Sequence, residues 1–273
     1  MALIKLKNKL FQLFGIVVLS AVLVGCATPP SDPEERARYE EINDPLEPMN
    51  RVIFDFNLFI DDVFLGPVAK GYVAVVPEFI RNGISNLLDY LRLPMTFIAQ
   101  ILQGEFEYAG DTTGRFLLNT ITLGFNDAAT EAGIPNRSAD LGQTFAKWGV
   151  PEGPYVVVPL LGSYNVRHAT GDALEYFAVN PVNQWEQMDG HEKWGYIHTG
   201  LFILDFRAAN IERFDQLKES SLDLYATMRS AYRQTRKRME NDSYSPDDVG
   251  KILPVETGGD SNQFQELNDP IAE

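Results

Sequence analysis

The sequence predicts an all-α fold, in which a single domain of short amphipathic helices occupies residues 44–239. Three observations support this prediction. Apolar side chains recur three and four positions apart through most of this range, which is the period of a helix. Glycine and proline divide the periodic segments into seven or more helices. Only residues 156–158 have the composition of a strand.

The first helix is predicted to follow Asp44-Pro45 and to end at Gly66-Pro67. A helix that is apolar on several faces is either buried in a core or in contact with lipid, and the sequence leaves these two interpretations open. The apolar stripe of this helix consists of Met49, Val52, Ile53, Phe56, Phe59, Ile60 and Val63, and Phe54, Leu58, Phe64 and Leu65 crowd around it.

The second helix is predicted to begin at Pro77. Its apolar stripe over residues 80–91 lies on one face, whereas Arg81, Asn82 and Asp89 face elsewhere. Further helices are expected over residues 94–103, 105–123, 141–148, 194–211 and 222–232, with Gly104 separating the first two.

Residues 153–166 form the longest uncharged stretch of the domain. This stretch is interrupted by proline and is shorter than the roughly 20 apolar residues that a membrane-spanning helix needs. Residues 156–158 are expected to form an edge strand or an extended loop, because Pro154 and Pro159 on either side of them cannot donate to a sheet.

Residues 1–25 have the features of a lipoprotein signal peptide. Three lysines precede an apolar run, residues 10–24, which leads into Leu23-Val24-Gly25-Cys26. Such a segment directs export and is removed from the mature protein. Cys26 is the only cysteine of the chain, so it is expected to carry lipid rather than to form an intramolecular disulfide. An ordinary secretory signal followed by an incidental cysteine is the alternative.

The segments on either side of the domain are predicted to be disordered. Residues 26–43 form a tether rich in Pro, Asp and Glu, and residues 240–273 hold nine acids against Lys251 alone. By analogy with lipoprotein sorting, Ala27 favours the outer membrane. Cleavage of residues 1–25 changes the formal net charge from −15 to −18. A chain this acidic is poorly suited to nucleic acid, because phosphate binding relies on Lys and Arg.

No catalytic constellation is complete in the sequence. His191-Glu192-Lys193-Trp194-Gly195 lacks the second histidine of a zinc-protease motif. Gly83-Ile84-Ser85-Asn86-Leu87 has half of a nucleophile elbow and lies on a predicted helix, so Ser85 is interpreted as a surface residue. The three histidines, His168, His191 and His198, are too scattered for a metal site. The sequence therefore predicts a protein that is not an enzyme, binds no metal and has no cofactor apart from the covalent lipid on Cys26.

Several blocks of residues resemble the VacJ/MlaA family of outer-membrane lipoproteins. The likeness extends over residues 44–232, and it is specific because separate blocks agree in order. The sequence departs from the common pattern at Pro151-Glu152 and at Arg167-His168, which affects local loop shape. The blocks are Asp44-Pro45-Leu46-Glu47-Pro48-Met49-Asn50-Arg51, Phe54-Asp55-Phe56-Asn57, Arg81-Asn82-Gly83-Ile84-Ser85-Asn86, Arg115-Phe116-Leu117-Leu118-Asn119-Thr120, Gly149-Val150, Gly153-Pro154-Tyr155-Val156, Pro159-Leu160-Leu161-Gly162-Ser163 and Met228-Arg229-Ser230-Ala231-Tyr232.

The resemblance implies a ring-like, all-helical body in the inner leaflet of the outer membrane of a Gram-negative bacterium. An amphipathic channel would pass through this body, with porin trimers beside it. Phospholipids misplaced in the outer leaflet would cross the channel to a periplasmic phospholipid shuttle, which would deliver them to an ATP-driven complex in the inner membrane. Short helices with apolar stripes are compatible with lying flat at a membrane surface.

Polar residues within or beside the apolar helices are the candidates for lining such a channel, because a charged headgroup needs a polar path. For each, a helix cap or a solvated face is the alternative, and for Arg81 and Arg115 this alternative is favoured. Asn57 is the preferred candidate, since it lies in one of the blocks that carry the resemblance. The channel and lipid-contact candidates are Asn50, Asp55, Phe56, Asn57, Arg81 and Arg115.

Two other functions remain open from the residues alone. One is a structural outer-membrane lipoprotein that braces porins, and the other is a lipid-modifying hydrolase. A transporter needs a continuous polar passage through an apolar belt, whereas a brace does not. A hydrolase needs a nucleophile or a metal site, and the sequence completes neither. The resemblance favours the transporter.

Overall fold

The computed structural model describes residues 32, 36, 42–188 and 190–241. The predicted signal peptide, Cys26 and nearly all of the predicted tether and tail lie outside these residues. Within them the all-α prediction is confirmed, because helices form almost all of the regular structure and one two-stranded hairpin forms the rest.

The helices follow one another with short connections. Two π-helical turns interrupt them: Asp61–Leu65 joins α1 to α2, and Glu175–Val179 extends α7. The hairpin strands β1 (Tyr155–Val158) and β2 (Gly162–Asn165) are antiparallel, with Tyr155 opposite Asn165. The helices are α1 (Glu47–Ile60), α2 (Gly66–Val75), α3 (Glu78–Gln103), α4 (Phe106–Thr120), α5 (Ala128–Glu131), α6 (Leu141–Lys147), α7 (Val166–Leu174), α8 (Pro181–Glu186), α9 (Glu192–Ala209), α10 (Ile211–Ser220) and α11 (Leu224–Glu240).

The chain remains helical past Gly66-Pro67, so the predicted end of the first helix is wrong. In the first π-helical turn, the Gly66 N–H donates to the carbonyl of Asp61, five residues earlier. A proline in a regular helix lacks a donor, and its ring clashes with the carbonyl four residues before it. The wider turn directly before Pro67 relieves this conflict, so α2 continues to Val75.

Helix α3 runs uninterrupted through Pro94, although the sequence predicted two helices there. An internal proline costs about 3 kcal/mol, but α3 packs against α4, α6, α8 and α9, and these contacts hold both halves in line. The predicted break at Gly104 is confirmed, since its φ of 79° lies in the left-handed region that glycine adopts without strain. Helix α4 then returns antiparallel to α3, with the Tyr90 and Phe116 rings stacked at 5.2 Å.

The predicted strand at residues 156–158 is confirmed as part of β1. Both strands of the hairpin are edges, which is compatible with the prolines that flank this segment. Tyr155 and Val157 of β1 are buried against Phe54 of α1 and Tyr225 of α11. The hairpin therefore fastens the first helix of the domain to the last.

The C-terminal part contains more helices than the sequence predicted. The stripe over residues 194–211 divides into α9 and α10 at Asn210, whose φ of −114° and ψ of 17° are not helical. The stripe over residues 222–232 belongs to α11. Helices α5 and α8 have 4 and 6 residues, which is too short for a helical period to show in a sequence.

The interior of the protein is unusually polar. Among the described residues, the buried polar and charged side chains outnumber the buried hydrophobic ones. Buried arginines are held by carboxylates on other elements, since burying a charge is costly unless it is paired. The pairs are Arg229 with Asp44, Arg207 with Asp61, Arg115 with Asp127, Arg236 with Asp140 and Arg167 with Glu240.

Candidate functional site

Asp44 is the centre of a buried polar cluster at the start of the domain. Its side chain accepts hydrogen bonds from Asn50 Nδ2 at 2.8 Å, from the Tyr225 hydroxyl and from Arg229 at 2.6 Å. Asp44 is 1% exposed, so these partners replace the water that its charge would otherwise bind. The cluster joins the opening motif of the domain to α11.

Asn50 does not line an open passage, contrary to its selection as a channel candidate. The residue is fully buried, and its amide donates to Asp44 and to the Tyr155 carbonyl, the latter at 3.1 Å. Its carbonyl oxygen accepts from the Val157 N–H at 2.9 Å. Because all of its hydrogen bonds are made within the protein, Asn50 fastens β1 to α1. This role explains why the position holds a polar residue.

Asn57 makes a similar contact one step along the hairpin. Its amide donates to the Val158 carbonyl at 3.1 Å, and its oxygen accepts from the Leu160 N–H at 2.8 Å. Leu160 has a φ of 65°, so this amide supports a turn in the left-handed region. Asp55 and Phe56, which precede Asn57, are exposed.

Arg115 lies inside the body rather than on a solvated face or in a passage. Its side chain is 4% exposed and pairs with Asp127 at 2.5 Å. It also donates to Thr130 Oγ1 at 3.0 Å and to the Ile134 carbonyl at 2.6 Å. Because these partners lie in or near α5, Arg115 holds the segment after α4 in place.

One face of α3 is polar over most of its length. Positions spaced three and four apart on a helix share a face, and here that face carries polar side chains within an otherwise apolar helix. The opposite face presents Phe79, Phe97 and Ile101 to the exterior. We call the polar face the α3 polar stripe, and it consists of Arg81, Ser85, Asp89, Arg92 and Thr96.

The N-terminal part of the α3 polar stripe contacts α9. Ser85 donates to the carboxylate of Asp205 at 2.8 to 2.9 Å, so its interpretation as a plain surface residue is wrong. Burial raises the pKa of Asp205, while the Ser85 hydrogen bond and the charge of Arg81 act in the opposite direction. Arg81 is thus placed on a polar surface shared by α3 and α9.

The middle of the α3 polar stripe carries two charged groups that the structure leaves open. Asp89 and Arg92 are exposed, and neither side chain has a hydrogen bond or an ion pair with any described residue. Burial by the surrounding protein nevertheless raises the pKa of Asp89, with the charge of Arg92 opposing it. The Asp89 carboxylate is therefore reached by solvent, although protein lies close around it.

Other elements contribute polar groups near the same space. The charge of Arg92 acts on Glu175 in the second π-helical turn and on Tyr164 in β2. Burial raises the pKa of Glu175 to about 8, against the hydrogen bond that it accepts from the Leu141 N–H at 2.5 Å. Polar groups from α3, α9, β2 and this turn therefore lie within electrostatic range of one another.

An ion pair between Arg236 of α11 and Asp140, the residue before α6, joins these two helices. Burial would raise the pKa of Asp140, but the charge and the hydrogen bonds of Arg236 lower it to about 2. The pair is bidentate, with distances of 2.7 and 3.1 Å.

Among the residues that the structure describes, no group of three His, Cys, Asp or Glu side chains has the arrangement of a metal site.

Large apolar side chains are exposed around the polar interior. On α1 and the π-helical turn that follows it they form the α1 apolar stripe, which consists of Val52, Phe56, Phe59 and Val63 and is 47–69% exposed. This stripe does not enter a core, whereas Phe54 on another face of α1 does. Elsewhere in the described residues, the largest exposures are those of Val75, Phe79, Phe106, Ile121, Leu123, Phe177, Tyr196 and Leu222.

Comparisons with known proteins agree with this architecture. Residues 42–239 match the family model described as MlaA lipoprotein. The chain belongs to the MlaA lipoprotein family. The resemblance found in the sequence is thereby confirmed, and the matched range includes every described element from α1 to nearly the end of α11.

Two relatives of this MlaA-family chain carry the name intermembrane phospholipid transport system lipoprotein MlaA. The protein from Haemophilus influenzae is 32% identical over 250 residues, which cover 86% of this chain and 96% of the relative. The protein from Escherichia coli (strain K12) is 32% identical over 238 residues, which cover 84% and 89%.

A solved structure has a similar fold. It comes from work described as "Structural basis for maintenance of bacterial outer membrane lipid asymmetry", and it superposes on this MlaA-family chain with a TM-score of 0.64 and 29% sequence identity. The superposition covers 74% of this chain and 99% of the solved chain. The two chains therefore share the helical architecture over the whole of the solved protein.

Proposed function

We propose that this protein removes misplaced phospholipids from the outer leaflet of the outer membrane and passes them to a periplasmic lipid shuttle, which maintains lipid asymmetry. The observation that carries the proposal is the distribution of side chains, which is the reverse of that in a water-soluble globular protein. Polar groups lie inside, and a broad apolar surface lies outside. Such a body suits immersion in one leaflet of a bilayer. The names of the relatives and the description of the similar structure support the same function.

The α3 polar stripe provides the path for the headgroup in this proposal. A phosphate or ammonium group cannot cross hydrocarbon unpaired without a large cost in free energy. Arg81, Asp89 and Arg92 offer it charges on one helical face, while acyl chains follow the apolar exterior. Of the candidates taken from the sequence, Arg81 fits this path. Phe56 on the exposed side of α1 fits contact with acyl chains, and the exposed Asp55 beside it fits contact with headgroups.

The proposal includes a ring-like enclosure of this path, with porin trimers beside the body. It also includes a lipid-anchored position on the periplasmic side of the outer membrane. The protein acts by binding and guiding lipid, and no hydrolysis or other chemical step is required of it. Acyl chains on Cys26 contribute about 0.8 kcal/mol per buried methylene, so the anchor holds without a spanning helix.

Cys26→Ser is expected to abolish acylation. Mass spectrometry of the mature protein should show Cys26 with its acyl chains in the wild type, and uncleaved or unacylated protein in the variant. A mature wild-type protein with a free Cys26 thiol would refute the lipobox interpretation.

Ser85→Leu is expected to block the path and to raise outer-leaflet phospholipid toward the level of a deletion strain. The leucine places an apolar group where the α3 polar stripe meets Asp205. The readout is the amount of phospholipid that an added phospholipase releases from intact cells. Gln234→Leu is the matched control, because Gln234 is exposed on α11 rather than on α3, and it should behave as wild type.

Two outcomes would contradict the proposal at different levels. A deletion strain with unchanged outer-leaflet phospholipid would remove the transport function and favour a porin-bracing protein. Normal transport by a folded Ser85→Leu protein, with folding checked by circular dichroism, would show that the headgroup takes another route.

A further inference from the structure

Arg92 is an exposed arginine of the α3 polar stripe, and no carboxylate of the described residues holds it in an ion pair. The buried arginines Arg115, Arg207, Arg229 and Arg236 are each paired with an acid on another element. Arg92 is exposed and has no ion pair within the described part of the chain. Its guanidinium instead lies over the ring of Phe202 from α9, 5.4 Å from the ring centroid.

Resting on the proposed transport function, we propose that Arg92 and Asp89 form a subsite for a zwitterionic phospholipid headgroup. The Arg92 guanidinium binds the phosphodiester, and the Asp89 carboxylate binds the ammonium group. The ligand class is a phosphodiester joined to a primary ammonium by a short linker, as in phosphatidylethanolamine.

The spacing of the two residues fits such a ligand. Positions three apart on a helix lie about 5–6 Å from each other at Cβ, and both side chains project from the same face. The two groups form no ion pair with each other, and the contact with Phe202 directs the guanidinium toward α9. A headgroup with one anionic and one cationic centre a few bonds apart can pair with both.

The Phe202 ring also prepares Arg92 for phosphate. A guanidinium that lies over an aromatic face uses that face and keeps the N–H groups at its own edge free to donate. A phosphate can accept hydrogen bonds from two of these N–H groups at once. Phe202 is 38% exposed, so the pair lies at an open part of the surface between α3 and α9. A lysine at this position would offer a positive charge but not the two parallel N–H donors of a guanidinium.

The charges of the subsite itself favour a zwitterion over an anion. Asp89 is an exposed carboxylate that has no ion pair within the described part of the chain. An anionic headgroup such as phosphatidylglycerol would leave Asp89 unpaired, whereas an ammonium group would pair with it. The subsite therefore admits phosphatidylethanolamine in preference to phosphatidylglycerol.

The test measures which lipids the protein retains. The full-length acylated protein in detergent is incubated with vesicles of equal phosphatidylethanolamine and phosphatidylglycerol and is purified again, and the bound lipids are quantified by mass spectrometry. Wild type is expected to retain more phosphatidylethanolamine. Arg92→Gln should lower retention of both lipids about tenfold, as expected for loss of a hydrogen bond to a charged group. Arg238→Gln, which removes an exposed arginine at the end of α11, is the matched control and should retain lipid as wild type does.

Asp89→Asn separates the two halves of the subsite. It should lower the ratio of phosphatidylethanolamine to phosphatidylglycerol about fivefold, while retention of phosphatidylglycerol does not fall. An unchanged ratio would overturn the zwitterion subsite, and so would wild-type retention by Arg92→Gln. Inorganic phosphate and glycerophosphoethanolamine are also compared as competitors of bound phosphatidylethanolamine. If inorganic phosphate competes as well as glycerophosphoethanolamine, the site is a simple phosphate site and the lipid assignment is overturned.

These failures are distinct from failure of the proposed function. If Arg92→Gln retains lipid normally while deletion of the protein still raises outer-leaflet phospholipid, only the subsite is lost. If the wild-type protein retains neither lipid and its deletion has no effect on the outer leaflet, the transport function itself falls.

Discussion

Arg229→Met is expected to lower the free energy of unfolding by about 3–5 kcal/mol, because it removes one partner of a buried ion pair and leaves the other uncompensated. Asp44, the partner, is 1% exposed and also accepts from Asn50 and Tyr225. Without the guanidinium, the Asp44 charge is buried with only neutral donors. Denaturant unfolding of the detergent-solubilised protein, followed by circular dichroism, measures the change.

A double-mutant cycle and a surface pair serve as controls for this prediction. Asp44→Asn combined with Arg229→Met should be less destabilising than the sum of the two single changes, since the buried charge is gone. Lys70→Met removes the exposed pair of Lys70 with Asp215 and should cost about 1 kcal/mol or less. An Arg229→Met protein as stable as Lys70→Met would show that the Asp44 cluster does not hold α11 to the start of the domain.

The existence of most helices could be predicted from apolar period, but their ends depended on contacts that are not local. Gly104 was predictable because a left-handed φ is a property of glycine itself. Gly66-Pro67 and Pro94 were not, because a π-helical turn and tertiary packing override the local preference of proline for breaking a helix. The helix boundaries that failed are therefore those where a neighbouring element decides the outcome.

The candidate site was predictable only in part, because polar residues in apolar helices arise for two different reasons. Asn50 and Arg115 are polar because they bind partners inside the body, and those partners lie on segments that sequence spacing does not connect. Asp89 and Arg92 are polar and left open. Their spacing on α3 was visible in the sequence, but the facing residues Phe202 and Asp205 lie over a hundred positions away, so only the fold brings them together.

An interior of ion pairs beneath an apolar surface is costly in water, and this bears on where the protein is stable. In water, the exposed α1 apolar stripe would gain by association with another apolar surface. In a leaflet, acyl chains supply that surface, and the buried pairs, such as Arg207 with Asp61, keep the charges away from hydrocarbon. The same distribution of side chains therefore suits the proposed position in one leaflet of the membrane.

Val52→Asp combined with Phe59→Asp is expected to release the protein from membranes once the lipid anchor is also removed by Cys26→Ser. Both positions are on the α1 apolar stripe and are 69% and 60% exposed, so the changes disturb few contacts within the fold. Placing an aspartate in hydrocarbon costs about 2.5–3.5 kcal/mol near the bilayer centre, and less toward the interface. Two such changes should lower the membrane partition coefficient by a factor of a hundred or more, on the order of 3 kcal/mol in total, at 1.4 kcal/mol per tenfold change.

The measurement is co-sedimentation of the Cys26→Ser proteins with vesicles, at constant ionic strength. Asn82→Asp combined with Gln216→Asp is the matched control, because it adds the same two charges at exposed polar positions and should leave partitioning nearly unchanged. This control separates loss of apolar contact from simple repulsion by an already acidic chain. If the stripe variant sediments with vesicles as strongly as the control does, α1 does not lie in the leaflet, and its exposed side chains must face a protein partner instead.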